Sequence, residues 1–350
     1  MNILRSLKNL CPMNLMFLIK YYKKFNHQKC LNSGNKKRIY FLDSPNYANL
    51  GDQAIALAIE KYAKSYFNEY DFIEIQQDDL AVYSKCLKQI IKSEDIIFLT
   101  GGGNMGNIYP IYEAARRFVI KNFPNNKIIV FPQTIDYTYD TFGSLSIKKS
   151  QSIYNKHKNL TLMAREKNSY KKMKELYLNC KVLLMPDIVL TLDFDNSDIV
   201  RQNIGICLRG DKESLLTNEN KDYIISQLNA LNLTYEKVTT STDICKITNQ
   251  NRSEIVWNKL ENIAKYKLLI TDRLHGMIFA AITNTPCIVF DNTNRKVSGV
   301  YKWLEKYEYI KFIKEIDCFQ YELKEIIANK FKFKFDNSNF SKNFKTILKE

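Results

Sequence analysis

Short apolar runs that stop abruptly at polar residues, each followed by a stretch of helical spacing, recur along the chain and restrict its fold more than any other feature. Arg38-Ile39-Tyr40-Phe41-Leu42 gives way to Asp43-Ser44-Pro45-Asn46, and Ala, Leu, Ile and Lys then continue in helical spacing to about Phe67. Asp95 to Thr100 runs into Gly101-Gly102-Gly103, Lys127 to Phe131 into Pro132-Gln133-Thr134, and Leu160 to Ala164 into Arg165. Further on, Asn203 to Leu208 ends at Arg209, Leu268 to Ile270 at Thr271-Asp272-Arg273, and Pro286 to Phe290 at Asp291. Runs without polar alternation suit strands buried on both faces, as in parallel sheets covered by helices. The series occurs twice, on either side of the polar stretch Asp193 to Gln202. The expected class is therefore α/β, with two doubly wound Rossmann-like domains facing across a cleft. A length of 350 residues exceeds the usual single core and agrees with two domains. The expected boundaries are a basic amphipathic arm over 1–37, domains over 38–195 and 203–316, and a partly helical tail over 317–350.

Composition removes several function classes. No apolar run approaches the roughly 20 residues that span a bilayer, and no leader with a small-residue cleavage site is evident, so a cytoplasmic protein is expected. The eight cysteines are scattered and form no C-x-x-C pair, and the three histidines are equally dispersed, so no metal site is expected. The net charge of +15 is unevenly placed: Arg5, Lys8, Lys20, Lys23, Lys24, Lys29, Lys36, Lys37 and Arg38 meet no acid before Asp43. Between them stand Leu15 to Ile19, Tyr21, Tyr22 and Phe25. Such a helix either lies on an anionic membrane surface or docks on the body of the protein. No nucleic-acid reader module follows it, so nucleic acid is not an expected partner.

The polar residues that end the buried runs carry the chemistry. Ligands of open α/β sheets gather at the carboxyl edge of the strands. Arg165, Arg209 and Arg273 all stand there, and guanidinium forks bind carboxylate and phosphate in a bidentate manner. A small multiply charged anion, a phosphate or phospho-carboxylate, is the expected substrate. Histidine as a residue type exchanges protons near neutral pH, so His275 leads as general acid or base, the alternative being a hydrogen-bonded structural histidine. Asn49, Gly51 and Asp52 open a helix and border a ligand site, unless Asp52 is simply the cap. Gly101, Gly103 and Gly106 satisfy G-x-G-x-x-G, but the next strand ends in Pro132-Gln133-Thr134 without the ribose-binding acid. A substrate or anion loop is expected there, not a nicotinamide site.

From about residue 38 to 305 the chain resembles the polysaccharide pyruvyl transferase family. The residues that carry the resemblance are Asn49-x-Gly51-Asp52-Gln53-Ala54-Ile55, Gly101-Gly102-Gly103-Asn104, Pro132-Gln133-Thr134, Arg165-Glu166-x-x-Ser169, Pro186-Asp187 and, above all, Thr271-Asp272-Arg273-Leu274-His275-Gly276. Pro286, Asp291-Asn292 and Lys296 fit as well. The resemblance implies a fold similar to GT-B glycosyltransferases. It also implies transfer of pyruvate from phosphoenolpyruvate onto two hydroxyls of a sugar, forming a cyclic ketal, with no other cofactor. Arg209, Arg273, His275, Gly276, Asn292 and Lys296 would hold the donor, with His275 and Arg273 catalytic and Asp52, Asp187 or Asp272 as base. Asn49, Gly51, Asp52, Gly102, Gly103, Asn104, Gln133 and Arg165 would hold the acceptor. That acceptor is a sugar of a cell-surface polysaccharide or its lipid-linked precursor, which would place the enzyme at the inner face of the membrane. Alternatives are a nucleotide-sugar glycosyltransferase of the same fold and a non-catalytic scaffold of polysaccharide assembly. Neither the acceptor nor the oligomeric state follows from the sequence.

Overall fold

The computed structural model describes residues 36–195, 199–329, 331 and 334–347. The basic arm, with Cys11 and Cys30, lies outside the described residues. The chain divides into two compact units, one made of 36–46 and 55–185, the other of 47–54 and the described residues after 186. Both are α/β with parallel sheets, the GT-B-like class.

The first unit contains strands β1 (Arg38–Ser44), β2 (Asp71–Gln76), β3 (Ile96–Leu99), β4 (Gly102–Gly106), β5 (Lys127–Asp136), β6 (Leu160–Ala164) and β7 (Lys181–Leu184). They pair in the order β2-β1-β3-β5-β6-β7, all parallel, with β4 added along β5. Helices α1 (Leu50–Tyr66), α2 (Gln77–Ile90), α3 (Pro110–Asn122), α4 (Thr141–Tyr154) and α5 (Lys167–Leu176) alternate with them. Every residue of β1, β3 and β6 is buried, as continuous apolar runs require.

The expected loop at 101–106 is instead a strand. Beyond Val130 the strand β5 continues through Pro132 to Asp136, and its far half pairs with Gly102, Met105 and Gly106. Proline lacks an N–H but does not interrupt a strand where the ladder shifts register, and the register on both sides of β5 shifts here. Gly106 is required because its φ is 116° and a Cβ would stand 1.8 Å from the Asp136 carbonyl oxygen.

The second unit carries β8 (Gln202–Cys207), β9 (Tyr235–Lys237), β10 (Tyr266–Thr271), β11 (Cys287–Phe290) and β12 (Ile310–Ile313), ordered β12-β11-β10-β8-β9. Its helices are the first turn of α1, α6 (Asn218–Ala230), α7 (Arg252–Ala264), α8 (Leu274–Ile282), α9 (Lys296–Tyr301), α10 (Phe319–Ala328) and α11 (Ser338–Ile347), with a 3-10 turn at Ile188–Thr191. Three segments are assigned differently from what was expected. Residues 47–54 and 186–195 belong to the second unit, and so does the tail. Phe319, Leu323 and Ile326 of α10 join its core, while α11 packs on the 3-10 turn. The division between the units falls between Met185 and Pro186, ahead of the polar stretch that was expected to mark it.

Candidate active site

Strand order singles out one point in each sheet. In the second unit β9 lies on one side of β8, and β10 returns to the other. The carboxyl ends of β8 and β10 therefore flank the switch point, where ligands of such sheets bind. In register, Thr271 pairs with Cys207 and with Val289, which brings Arg209, Asp272 and Asn292 to one edge.

Local chemistry shapes the turn after β10. The Thr271 hydroxyl donates to the Cys207 carbonyl (2.8 Å) and accepts from the Arg273 N–H (3.0 Å), closing a two-residue turn against β8. Helix α8 then starts at Leu274, with Arg273 as N-cap and no side chain capping the end. The free N–H groups of that first turn favour an anion. Gly276 lets the helix seat on the strand, since a Cβ there would meet the Thr271 hydroxyl at 2.5 Å.

Asp272 is fully buried, and both its oxygens are engaged. One accepts from the Arg209 N–H (2.8 Å), the other from the Ser214 hydroxyl (2.9 Å). Burial raises its pKa, and those two donors oppose the rise. This geometry fits a brace for the 209–214 segment better than a base. The Arg209 fork is also occupied: Nε and Nη2 meet the two Asp211 oxygens at 2.8 Å, and Nη2 meets Glu213 at 3.0 Å. Glu213 in turn accepts from Lys296 at 2.7 Å. By contrast, Arg273 Nε is buried without a hydrogen-bond partner, and so are the side-chain oxygen and nitrogen of the fully buried Asn292. Leaving such atoms unmade costs on the order of 1–3 kcal/mol each, so a ligand that satisfies them gains accordingly.

His275 sits in the first turn of α8. Its Nε2 lies 3.6 Å from a carboxylate oxygen of Asp187, within ion-pair reach but too long for a hydrogen bond, and Nε2 makes none. Asp187 is buried, and its other oxygen accepts from the Val189 N–H at 3.1 Å, capping the 3-10 turn. On the opposite side the imidazole rests on Gly51, where a Cβ would fall 2.1 Å from Nδ1. The 47–54 segment is fixed to this unit by Leu50 N–H to the Thr240 carbonyl (2.8 Å) and by Arg252 Nε to Gln53 (2.8 Å). The Asn49 side chain accepts from the Gly51 N–H, and Tyr47 donates to Asp52 at 3.1 Å. Gly51 thus touches His275, and Asn49, Gly51 and Asp52 all belong to the second unit, whereas the expected acceptor set assigned them to the first domain. The Asp187 contact is absent from that set; its sequence signal was the Pro186-Asp187 pair closing β7.

The remaining acceptor candidates collect in the first unit. Gln133 donates to the Thr100 carbonyl (2.8 Å) and to Asn104 Oδ1 (3.1 Å), and Arg116 donates to the same Asn104 oxygen. Arg165 Nε donates to Thr134, and its guanidinium passes 3.0 Å from where a Gly103 Cβ would stand. Gly102 precedes it at a φ of 122°. Arg116 is also paired with buried Glu113 at 2.6 Å, and Glu113 accepts from Ser150 and Tyr154. Asp43 stands at this sheet's own switch point, between the ends of β1 and β3. It has a φ of 62°, and burial pushes its carboxyl up to about 7, with Arg116 opposing. Its Oδ1 is buried without a hydrogen-bond partner. A strand-ending acid before Ser-Pro was visible in the sequence, but its burial was not. Among the described residues no cluster of three or more His, Cys, Asp or Glu could hold a metal, and no helix is long and apolar enough to cross a membrane.

Comparison with known proteins bears on this arrangement. The family model described as polysaccharide pyruvyl transferase matches residues 49–294. General stress protein 30 of Bacillus subtilis is 36% identical over 319 residues, 90% of this chain and 91% of that protein. Pyruvyl transferase 1 of Schizosaccharomyces pombe is 27% identical over 310 residues, 83% of this chain and 73% of that protein. Among solved structures, the uncharacterized protein KP1_0663 of Klebsiella pneumoniae superposes with a TM-score of 0.53 at 20% identity, covering 87% of this chain and 100% of that one. That last likeness is one of fold alone.

Proposed function

The chain belongs to the polysaccharide pyruvyl transferase family, and on that premise we propose that its second unit binds phosphoenolpyruvate and passes the pyruvyl carbon to two hydroxyls of a sugar as a cyclic ketal. The observation that carries this reading is the set of polar atoms without hydrogen bonds at one sheet edge: Arg273 Nε, His275 Nε2 and the Asn292 amide, beside an uncapped helix start. Phosphoenolpyruvate offers a phosphate and a carboxylate to such a set.

In the proposed sequence, His275 gives a proton to the methylene carbon and the adjacent carbon becomes electrophilic. A sugar hydroxyl adds there and its proton passes to a carboxylate, for which we take Asp52, the half-buried neighbour of the Gly51 that touches His275, since Asp272 is fully buried and engaged on both oxygens. The carbon–oxygen bond to phosphate then breaks, and phosphate leaves with the proton that the carboxylate had taken from the first hydroxyl. The second hydroxyl closes the ketal and its proton restores His275. Arg273 and the helix N-terminus offset charge on the departing phosphate, the kind of electrostatic contribution that usually dominates. Asp187 and Gly51 hold the imidazole from two sides.

Incubation with phosphoenolpyruvate and a panel of glycosides tests the proposal. Release of inorganic phosphate should accompany a mass gain of one pyruvic acid less one water on a single glycoside. Phosphate release without that gain, or hexose transfer from a nucleotide-sugar instead, would sink it.

A further inference from the structure

Exposed apolar side chains of the first unit are concentrated in one place. Ile108 and Tyr109 follow β4, and Tyr139, Phe142 and Leu145 follow β5; among the described residues only Tyr66 and Leu178 are comparable elsewhere in that unit. Tyr139 is completely exposed, Leu145 60% and Phe142 49%. The two segments are tied together, since the Asn107 side chain donates to the Thr138 hydroxyl (2.7 Å) and accepts from the Thr138 N–H (2.8 Å). Apolar groups so placed are costly in water unless something covers them.

Helix α4 continues this face as a charged one. Phe142, Leu145, Lys149 and Ser152 follow one another at spacings of three and four, a single helical stripe, and Lys156 stands in the turn just beyond the helix. Lys148 is exposed one turn after Leu145, and Lys172 lies 5.7 Å from the Tyr139 ring. Between Asp140 and Glu166 the chain has no acid. Asp140 is itself exposed, but its carboxylate is engaged within the chain, capping α4 through the Gly143 N–H and accepting from Thr138. Behind the stripe, Lys121, Lys149 and Lys156 rim a groove of about 360 Å³ with Ile120, Pro124 and Ile153 on its walls.

We infer that this face, from Tyr139 along α4 to Lys156, is a docking surface for an anionic lipid bilayer. Apolar side chains at one end enter the headgroup region, while the lysines behind them meet lipid phosphates with their stems along the apolar boundary. The groove accepts a phosphate at its rim and glycerol or acyl carbons on its walls. Consistent with positive crowding, burial lowers the Lys149 pKa, and Arg117 and Lys121 add to the effect. Lysines with no acid among them along α4 favour an anionic surface over an uncharged saccharide, and the apolar end favours a bilayer over a free polyanion. The inference stands apart from the transfer reaction and does not depend on it.

Vesicle co-sedimentation of the full chain, basic N-terminal segment included, tests it with phosphatidylcholine alone or mixed with phosphatidylglycerol. Every variant retains the N-terminal segment, so differences report on this face. The wild type should bind only the anionic vesicles. Lys148→Glu with Lys149→Glu should weaken binding at least about tenfold, and Phe142→Ser with Leu145→Ser about fivefold. A tryptophan placed by Phe142→Trp should be quenched by brominated lipid. These positions are exposed, and circular dichroism verifies that each variant is folded. Wild type that fails to sediment, binds neutral vesicles equally well, or is matched by both folded double variants would overturn the inference. So would variants that alter only self-association or saccharide binding.

Discussion

The turn at 101–106 and the turn at 271–276 follow buried parallel strands in the two sheets, yet they fold differently. The first has four glycines and satisfies a phosphate-loop spacing; the second has one glycine. In the first, β5 outruns its neighbour and captures residues 102–106 as β4, so α3 begins only at Pro110. In the second, the Thr271 hydroxyl closes the chain within two residues and α8 begins at once. The glycine-rich turn is absorbed into a sheet and a hydrogen-bonded network, while the glycine-poor one leaves an uncapped helix start with unpartnered polar atoms. Glycine number therefore does not fix how a strand-end turn folds. The availability of a neighbouring strand decides whether the backbone N–H groups are spent on the ladder or left for a ligand.

Variants in each turn can break this comparison. The largest effect is expected from Arg273→Ala and His275→Ala, which should each lower phosphoenolpyruvate-dependent kcat/KM by about 1000-fold without changing Tm much; retention of full activity by either would remove the donor assignment. Gly106→Ala strikes the other turn. It should destabilise the first unit by roughly 2–4 kcal/mol, because its φ and the Asp136 carbonyl both oppose a side chain. In denaturant melts, an unchanged midpoint would show that β4 is not needed. Gly51→Ala should displace the His275 ring and cost about 100-fold in kcat, with phosphoenolpyruvate binding by calorimetry affected less.

A pH experiment sharpens the comparison further. Asp43 is a buried carboxyl lifted to about 7 in the folded state, against about 4 when unfolded. Between those values the folded chain holds a proton that the unfolded chain has released, so stability falls as pH rises through the window. Asp43→Asn removes that loss. It should raise stability by on the order of 2–4 kcal/mol above about pH 8 and by almost nothing below about pH 4. An equal effect at both pH values would mean that the carboxyl does not titrate there. The smallest effect is reserved for Glu213→Gln. Freeing Arg209 and Lys296 from a shared carboxylate should tighten phosphoenolpyruvate binding about threefold, the scale of a partly exposed ion pair.

Much of this protein was determined by sequence alone. Uninterrupted apolar runs of four to six residues can be satisfied only inside a parallel sheet covered on both faces, and their repetition required two sheets. The polar residues at strand ends were legible for the same reason, since a buried strand gives no cause for an arginine or histidine at its tip. Tertiary structure decided which of those residues are held and which are left open. Asp272 and Arg209 looked as available as Arg273 in one dimension, but their partners Ser214, Asp211 and Glu213 are brought to them by the loop after β8. Asn49, Gly51 and Asp52 read as part of the first domain because they precede most of it, whereas their backbone pairs with Thr240 and Ser241 almost two hundred residues later. The contact of Asp187 with His275 has the same origin. Periodicity and strand termination are local properties written along the chain, while the saturation of a polar group depends on what the fold returns to it from elsewhere.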